Sequence, residues 1–214
     1  MITIKICGMT NEEDALAAVE AGADALGFIL YRKSPRFVEP KVVKAIVARL
    51  PPFVVPVGVF VNEDAQVVRE IMDDTGLMLA QLHGDETAGY CEALARPALK
   101  ALRLKDQRSF LSLAEYQGRA GVRGFVVDAH CDDAYGGTGQ VADWRLAVQV
   151  AKASKVLLAG GLTPTNVADA IKAVQPYGVD VSSGVEASPG RKDHDKIRAF
   201  VRAVRLGPVP LVSD

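Results

Sequence analysis

Cys7 closes the run Ile2-Thr3-Ile4-Lys5-Ile6-Cys7, in which isoleucines occupy alternate positions as they do in a buried strand, and Gly8-Met9-Thr10 turns the chain at once into a helix. Thr10 with Glu13 three residues later has the spacing of a capping box, so Cys7 stands at the carboxyl end of a strand. In parallel α/β folds that end is where ligands bind, because the strand-to-helix loops converge there. A thiol titrates near 8.5 and becomes a base or nucleophile when a positive field lowers that value; equally, a lone cysteine at such a place packs as a small apolar residue. Two further stretches could hold an anion. Gly160-Gly161 and Ser182-Ser183-Gly184 each follow an apolar run, and both can turn backbone N–H groups to a phosphate with no side chain in the way.

These residues need elements to hold them. Strands are expected over residues 2–7, 24–30, 53–60, 77–82, 98–102, 124–128, 155–159 and 178–182, each a nearly continuous apolar run of the kind that burial on both faces produces. Helical spacing lies between them, over 11–20, 40–50, 63–74, 86–96, 107–119, 143–153, 163–174 and 193–205, with Pro40 in a first turn, Asn62 as a cap, and Gly22 and Gly76 as stops. Eight alternating units with no linker between them predict a single (β/α)8 TIM barrel over residues 1–205, with a doubly wound open sheet as the alternative. Residues 206–214 carry two prolines and no periodicity and read as a disordered tail. The barrel would gather its strand ends into one ring: Cys7, the 32–36 loop with Arg36, Asn62, His83, Arg103, Asp128, Gly160-Gly161 and Ser182-Ser183-Gly184. His83 and Asp180 belong to the same rim, either orienting other groups or serving as ordinary structural polar residues. Barrels often bind phosphate between the seventh and eighth loops, and here glycines stand at both.

Composition removes several classes of function. The chain of 214 residues is 49% hydrophobic with a formal net charge of −1, which offers no basic field for nucleic acid or an anionic membrane. Three cysteines without framework spacing fit a reducing cytoplasm, and there is neither an export-signal pattern nor an apolar run of the roughly 18 residues that span a bilayer. No His/Cys/Asp cluster has metal-ligand spacing; His130, Cys131, Asp132 and Asp133 are too local, and His130 and His194 read as loop and surface residues. The expected partner is a small molecule, and the chain a monomer or homodimer.

Lys5-Ile6-Cys7-Gly8-Met9-Thr10, Gly27-Phe28-Ile29 with Ser34-Pro35-Arg36, Val57-Gly58-Val59-Phe60, Gln81-Leu82-His83-Gly84-Asp85, Gly136-Gly137-Thr138-Gly139, Leu158-Ala159-Gly160-Gly161-Leu162 and 178–186 together resemble, in order over nearly the whole chain, the phosphoribosylanthranilate isomerases of tryptophan biosynthesis. The resemblance implies an Amadori rearrangement of a ribosylamine phosphate with no metal or organic cofactor. It implies Cys7 as base, Asp128 as acid and Arg36 on the anthranilate carboxylate, whereas without it Arg36 would read as a solvated neighbour of Arg32 and Lys33. His83 and Asp180 would line the substrate; Gly160, Gly161, Ser183 and Gly184 would hold the phosphate, with Gly137 and Gly139 closing over it. An aromatic residue commonly precedes the Asp-Trp of the sixth helix in that family, and Ala142 stands there instead. Other sugar-phosphate barrels and a barrel kept only for binding are the competing readings; the histidine-pathway isomerase uses two aspartates, so Cys7 speaks against it.

Overall fold

A computed structural model of the chain describes residues 1–104, 107–128 and 144–207. Eight strands, β1 (Thr3–Cys7), β2 (Ala25–Ile29), β3 (Val55–Phe60), β4 (Leu79–Leu82), β5 (Ala98–Arg103), β6 (Val122–Asp128), β7 (Val156–Ala159) and β8 (Gly178–Val181), run parallel and close into a barrel. Closure is made by β1 against β8, with Lys5 in register with Asp180. Helices α1 (Glu12–Ala21), α2 (Pro40–Val47), α3 (Ala65–Thr75), α4 (Ala88–Leu94), α5 (Gln107–Tyr116), α6 (Trp144–Ala153), α7 (Val167–Val174) and α8 (His194–Leu206) alternate with them. This is the (β/α)8 TIM barrel expected from the sequence, and the open sheet is excluded. Among the described residues no helix is long and apolar enough to cross a membrane.

The period-2 geometry of a strand divides each apolar run between two cores. Outward-facing Ile4, Ile6, Leu26, Phe28, Phe60, Leu82, Phe125, Val127 and Leu158 pack with the helices into one large cluster, whereas Leu99, Ala101, Val126, Leu157 and Ala159 form a small separate one inside the barrel. Each fully buried side chain of this size contributes about 1.5–3 kcal/mol relative to exposure, so the helix-side core carries most of the stability. The inner face becomes polar toward the carboxyl ends: two residues beyond Ala101 and Val126 it ends in Arg103 and Asp128.

Local chemistry differs from expectation at several ends. The cap of α1 is Asn11, whose side chain accepts from Asp14 N, and Thr10 instead donates its hydroxyl to the Gly190 carbonyl. Asp64, not Asn62, caps α3; Asn62 takes φ +51° and accepts from Asp85 N across to the next loop. In both cases a neighbouring residue of the same capping type captures the helix, and the freed side chain ties two loops together. A two-stranded hairpin, β9 (Glu186–Ser188) with β10 (Arg191–Lys192), follows the 3-10 turn Ser183–Val185 and was not expected, because its strands are too short to show a period. Helix α8 takes in Leu206, which the sequence assigned to the tail. The rest of that tail from 208 on lies outside the described residues, as do Gly137, Gly139, His130, Cys131 and Ala142.

Candidate active site

Along β1, Lys5 and Cys7 share the inner face. The Lys5 ammonium has no solvent exposure and donates to both carboxylate oxygens of Asp180 at 2.9 Å. Burial alone would push its pKa down, but the Asp180 carboxylate and the Cys7 sulfur outweigh that and hold it above the usual lysine value. Burial pushes the Cys7 thiol up, Lys5 and Lys192 pull against this, and the net shift is upward. The lowered thiol pKa that the sequence invited is therefore corrected: the cations are present, but the dry site wins. Gly27 of β2 makes room for both heads, since a Cβ there would lie 2.6 Å from Cys7 Sγ and 3.1 Å from Lys5 Nζ.

Opposite this group, β4 and β6 present His83 and Asp128. Gln81 Nε2 and His83 Nδ1 are 2.9 Å apart, and His83 Nε2 lies 3.9 Å from Asp128 Oδ2. An amide nitrogen only donates, so Nδ1 accepts and, with this amide orientation assigned, a neutral ring carries its proton on Nε2 toward Asp128. The carboxylate would favour the imidazolium, but burial first, and then Lys5, Lys100 and Arg103, pull the His83 pKa down to about 4. The ring is neutral near pH 7.

Arg36 is not a solvated surface residue. Ser34 Oγ accepts from Arg36 N, and Phe37 rejoins β2 through a bridge to Ile29, which folds the loop back so that the arginine side chain, 12% exposed, reaches the cavity. There its Nε and Nη2 bind both oxygens of Glu186 at 2.7–3.1 Å. Lys192 Nζ also donates to Glu186, at 2.9 Å, and to the Ser182 carbonyl. Burial raises the Glu186 pKa, but Arg36 and Lys192 prevail and hold this carboxyl below its usual range. Behind the hairpin, Asp14 accepts from Lys192 N and pairs with His194 at 2.9 Å, so His194 is a partnered residue rather than a bare surface one.

The glycine loops complete the rim. Gly160 and Gly161 have φ of +90° and +63°, which side chains rarely adopt, and Asn166 Nδ2 donates to the Gly161 carbonyl. Gly184 has a further reason to be glycine: a Cβ there would collide with the Leu162 carbonyl oxygen, so its absence lets the seventh and eighth loops touch.

One cavity of about 390 Å³ brings these parts together: Cys7, Arg36, His83, Asp128, Gly160, Gly161, Asp180 and Ser183 all line it. Gly184 stands beside it in the 3-10 turn and is not part of the lining. Gln81 and Ser182 also line it, and among the described residues Gln81 Oε1 and Ser182 Oγ are buried with no hydrogen-bond partner. Among the described residues no group of His, Cys, Asp and Glu could hold a metal ion. Sequence reasoning missed Lys5, Gln81, Glu186 and Lys192 as site residues. Lys5 was detectable, because a lysine amid alternating isoleucines must share the face of Cys7. Glu186 and Lys192 were not, since their hairpin gives no periodic signal.

Comparison with known proteins agrees with this arrangement. The profile of the family described as N-(5'phosphoribosyl)anthranilate (PRA) isomerase matches residues 4–203. An N-(5'-phosphoribosyl)anthranilate isomerase of Pseudomonas fluorescens strain Pf0-1 is 54% identical over 202 residues, covering 94% of this chain and 97% of the relative. The crystal structure of the phosphoribosyl anthranilate isomerase from Thermotoga maritima superposes with a TM-score of 0.89 at 40% identity, over 96% of this chain and 99% of that one. A similar enzyme, solved in complex with reduced 1-(o-carboxyphenylamino)-1-deoxyribulose 5-phosphate, gives 0.85 at 39% identity over the same shares. The chain belongs to the N-(5'-phosphoribosyl)anthranilate isomerase family.

Proposed function

We propose that this site converts N-(5'-phosphoribosyl)anthranilate into 1-(2-carboxyphenylamino)-1-deoxyribulose 5-phosphate, the Amadori rearrangement of tryptophan biosynthesis, with Asp128 as the acid and Cys7 as the base. The protonated Asp128 gives its proton to the furanose oxygen as the C1–O bond breaks and the nitrogen lone pair forms an iminium at C1. The iminium acidifies C2. Cys7 as thiolate takes that proton, the C2–H electron pair becomes the C1=C2 bond, and the displaced π pair neutralises the nitrogen. The enolamine then tautomerises, gaining a proton at C1 as the C2 hydroxyl becomes the ketone, so the product keeps the composition of the substrate and no redox partner is needed.

The observation that carries this reading is that Cys7 and Asp128, on β1 and β6, line one cavity from opposite sides of the barrel with room for a sugar between them. His83, with Nε2–H directed to Asp128, suits an orienting role for the acid. Glu186 takes the Nε–Nη2 edge of Arg36, which leaves the Nη1–Nη2 edge to receive the anthranilate carboxylate in two parallel bonds. Asp180 acts on the substrate side of Lys5. The phosphate is held by backbone N–H groups of Gly160, Gly161, Ser183 and Gly184; the positive φ of the glycine pair and the contact of the two loops support this. The same reading includes a cytoplasmic monomer or homodimer without nucleic acid as partner. Every role assigned is filled by one chain. A fluorescence assay tests the function: purified chain should abolish the emission of the anthranilate sugar within a coupled synthesis, and persistent emission would refute it.

A further inference from the structure

We propose that Lys5 is a positioning residue that stabilises the thiolate of Cys7, with Asp180 setting how much of the ammonium's charge the sulfur receives. This rests on the reading of Cys7 as the base. A lysine with no solvent exposure in the middle of an isoleucine strand is costly unless its charge is matched, and the barrel wall offers many apolar alternatives at that position. Its ammonium has three protons. Two meet the oxygens of Asp180, its register partner across the β1–β8 seam, and the ammonium also interacts with the Cys7 sulfur. The two heads fill the one space above Gly27 that a methyl group would occupy. Because the thiolate rather than the thiol accepts a proton, and burial favours the thiol, a cation fixed beside the sulfur is what the dry pocket otherwise lacks.

The other charged groups around Cys7 do not replace it. Lys192 from the β9–β10 hairpin and Arg36 from the loop after β2 both approach the Gly8 turn, but Glu186 binds each of them. His83, which is neutral, and Asp128 lie across the cavity. The Lys5–Asp180 pair is neutral as a whole, and its two charges act on the sulfur in opposite senses. Removing either member should therefore move Cys7 in opposite senses.

The test is the pH dependence of iodoacetamide alkylation at Cys7 in the full-length chain, read by peptide mass spectrometry so that the other cysteines do not interfere. Lys5→Met should raise the apparent thiol pKa by about 1 pH unit or more, and Asp180→Asn should lower it by a comparable amount, since a single charge at contact distance typically shifts a pKa by about 1–3. The pH profile of kcat should move with the thiol while KM changes little in Lys5→Met. A folded Lys5→Met chain with an unmoved alkylation profile would overturn the proposal. If Lys5→Met does not fold, Asp180→Asn decides alone: an unchanged or raised thiol pKa refutes it. Alkylation reads the sulfur without turnover, so failure here stays distinct from failure of the base assignment, which active Cys7→Ala would reveal.

Discussion

Two of the buried lysine–carboxylate pairs among the described residues, Lys5–Asp180 and Lys100–Glu86, have the same chemistry and opposite use. Lys100 on β5 faces outward and gives its protons to the Leu82 carbonyl at 3.2 Å, the Gly84 carbonyl at 2.7 Å and Glu86 at 2.8 Å. Glu86 in turn accepts from the backbone of Asn62 and Gly84, and Tyr116 donates to its carbonyl. Every proton of that ammonium is met by a group held in the wall, so the pair fixes the β3 and β4 loops under His83 and has nothing left for a ligand. Lys5 on β1 faces inward, and its surroundings end on a thiol that lines the cavity. A saturated buried pair is structure, whereas a pair that borders a titratable group in a cavity is available for chemistry.

The largest effects should fall on the inner side. Cys7→Ala and Asp128→Asn are each expected to lower kcat by about 10²- to 10⁴-fold with folding intact, the usual contribution of a positioned base or acid. With substrate deuterated at C2, Cys7→Ser should enlarge the isotope effect and Asp128→Asn should shrink it toward unity, and the reverse pattern would exchange the two roles. On the outer side the loss should be of stability: Lys100→Met leaves Glu86 as an unmatched buried charge, costing about 3–5 kcal/mol in urea unfolding, while kcat of the folded fraction stays near wild type. A large kcat loss at unchanged stability would erase the distinction drawn between the pairs.

His83 lies between the two pairs and links them to pH. Its folded pKa of about 4 lies below the ordinary 6.5, so between these values the unfolded chain binds more protons. The stability contributed by the neutral ring is complete above about pH 6.5 and is lost as the pH falls through 4, amounting to about 3 kcal/mol at most. Urea midpoints of wild type and His83→Asn at pH 7, 5.5 and 4.5 should converge with acidity; parallel curves would place the titration elsewhere. The smallest effect belongs to Arg36→Ala, a loss of about 1.5–3 kcal/mol in transition-state binding, or roughly 10- to 100-fold in kcat/KM. An analogue without the carboxylate should bind variant and wild type alike, and unequal binding would give the guanidinium another partner.

Much of this was readable in the chain. Alternating apolar runs and helical spacings determined eight β/α units, and the strand-end position of Cys7, Asp128 and the glycine pairs followed from them, because a side chain at the end of a parallel strand has only one rim to occupy. The sequence also determined that Lys5 shares a face with Cys7. Only the tertiary structure decided what those faces meet. Closure of β8 onto β1 sets Asp180 against Lys5, a contact 175 residues apart in the chain. Arg36 gains Glu186, which it shares with Lys192, from a hairpin too short for any period, and Thr10 and Asn62 lose their capping roles to neighbours because each finds a better partner across a loop. The direction of the Cys7 pKa was decided the same way: a strand pattern shows that a thiol is buried, but the balance between desolvation and three surrounding charges depends on distances that exist only once the barrel is closed.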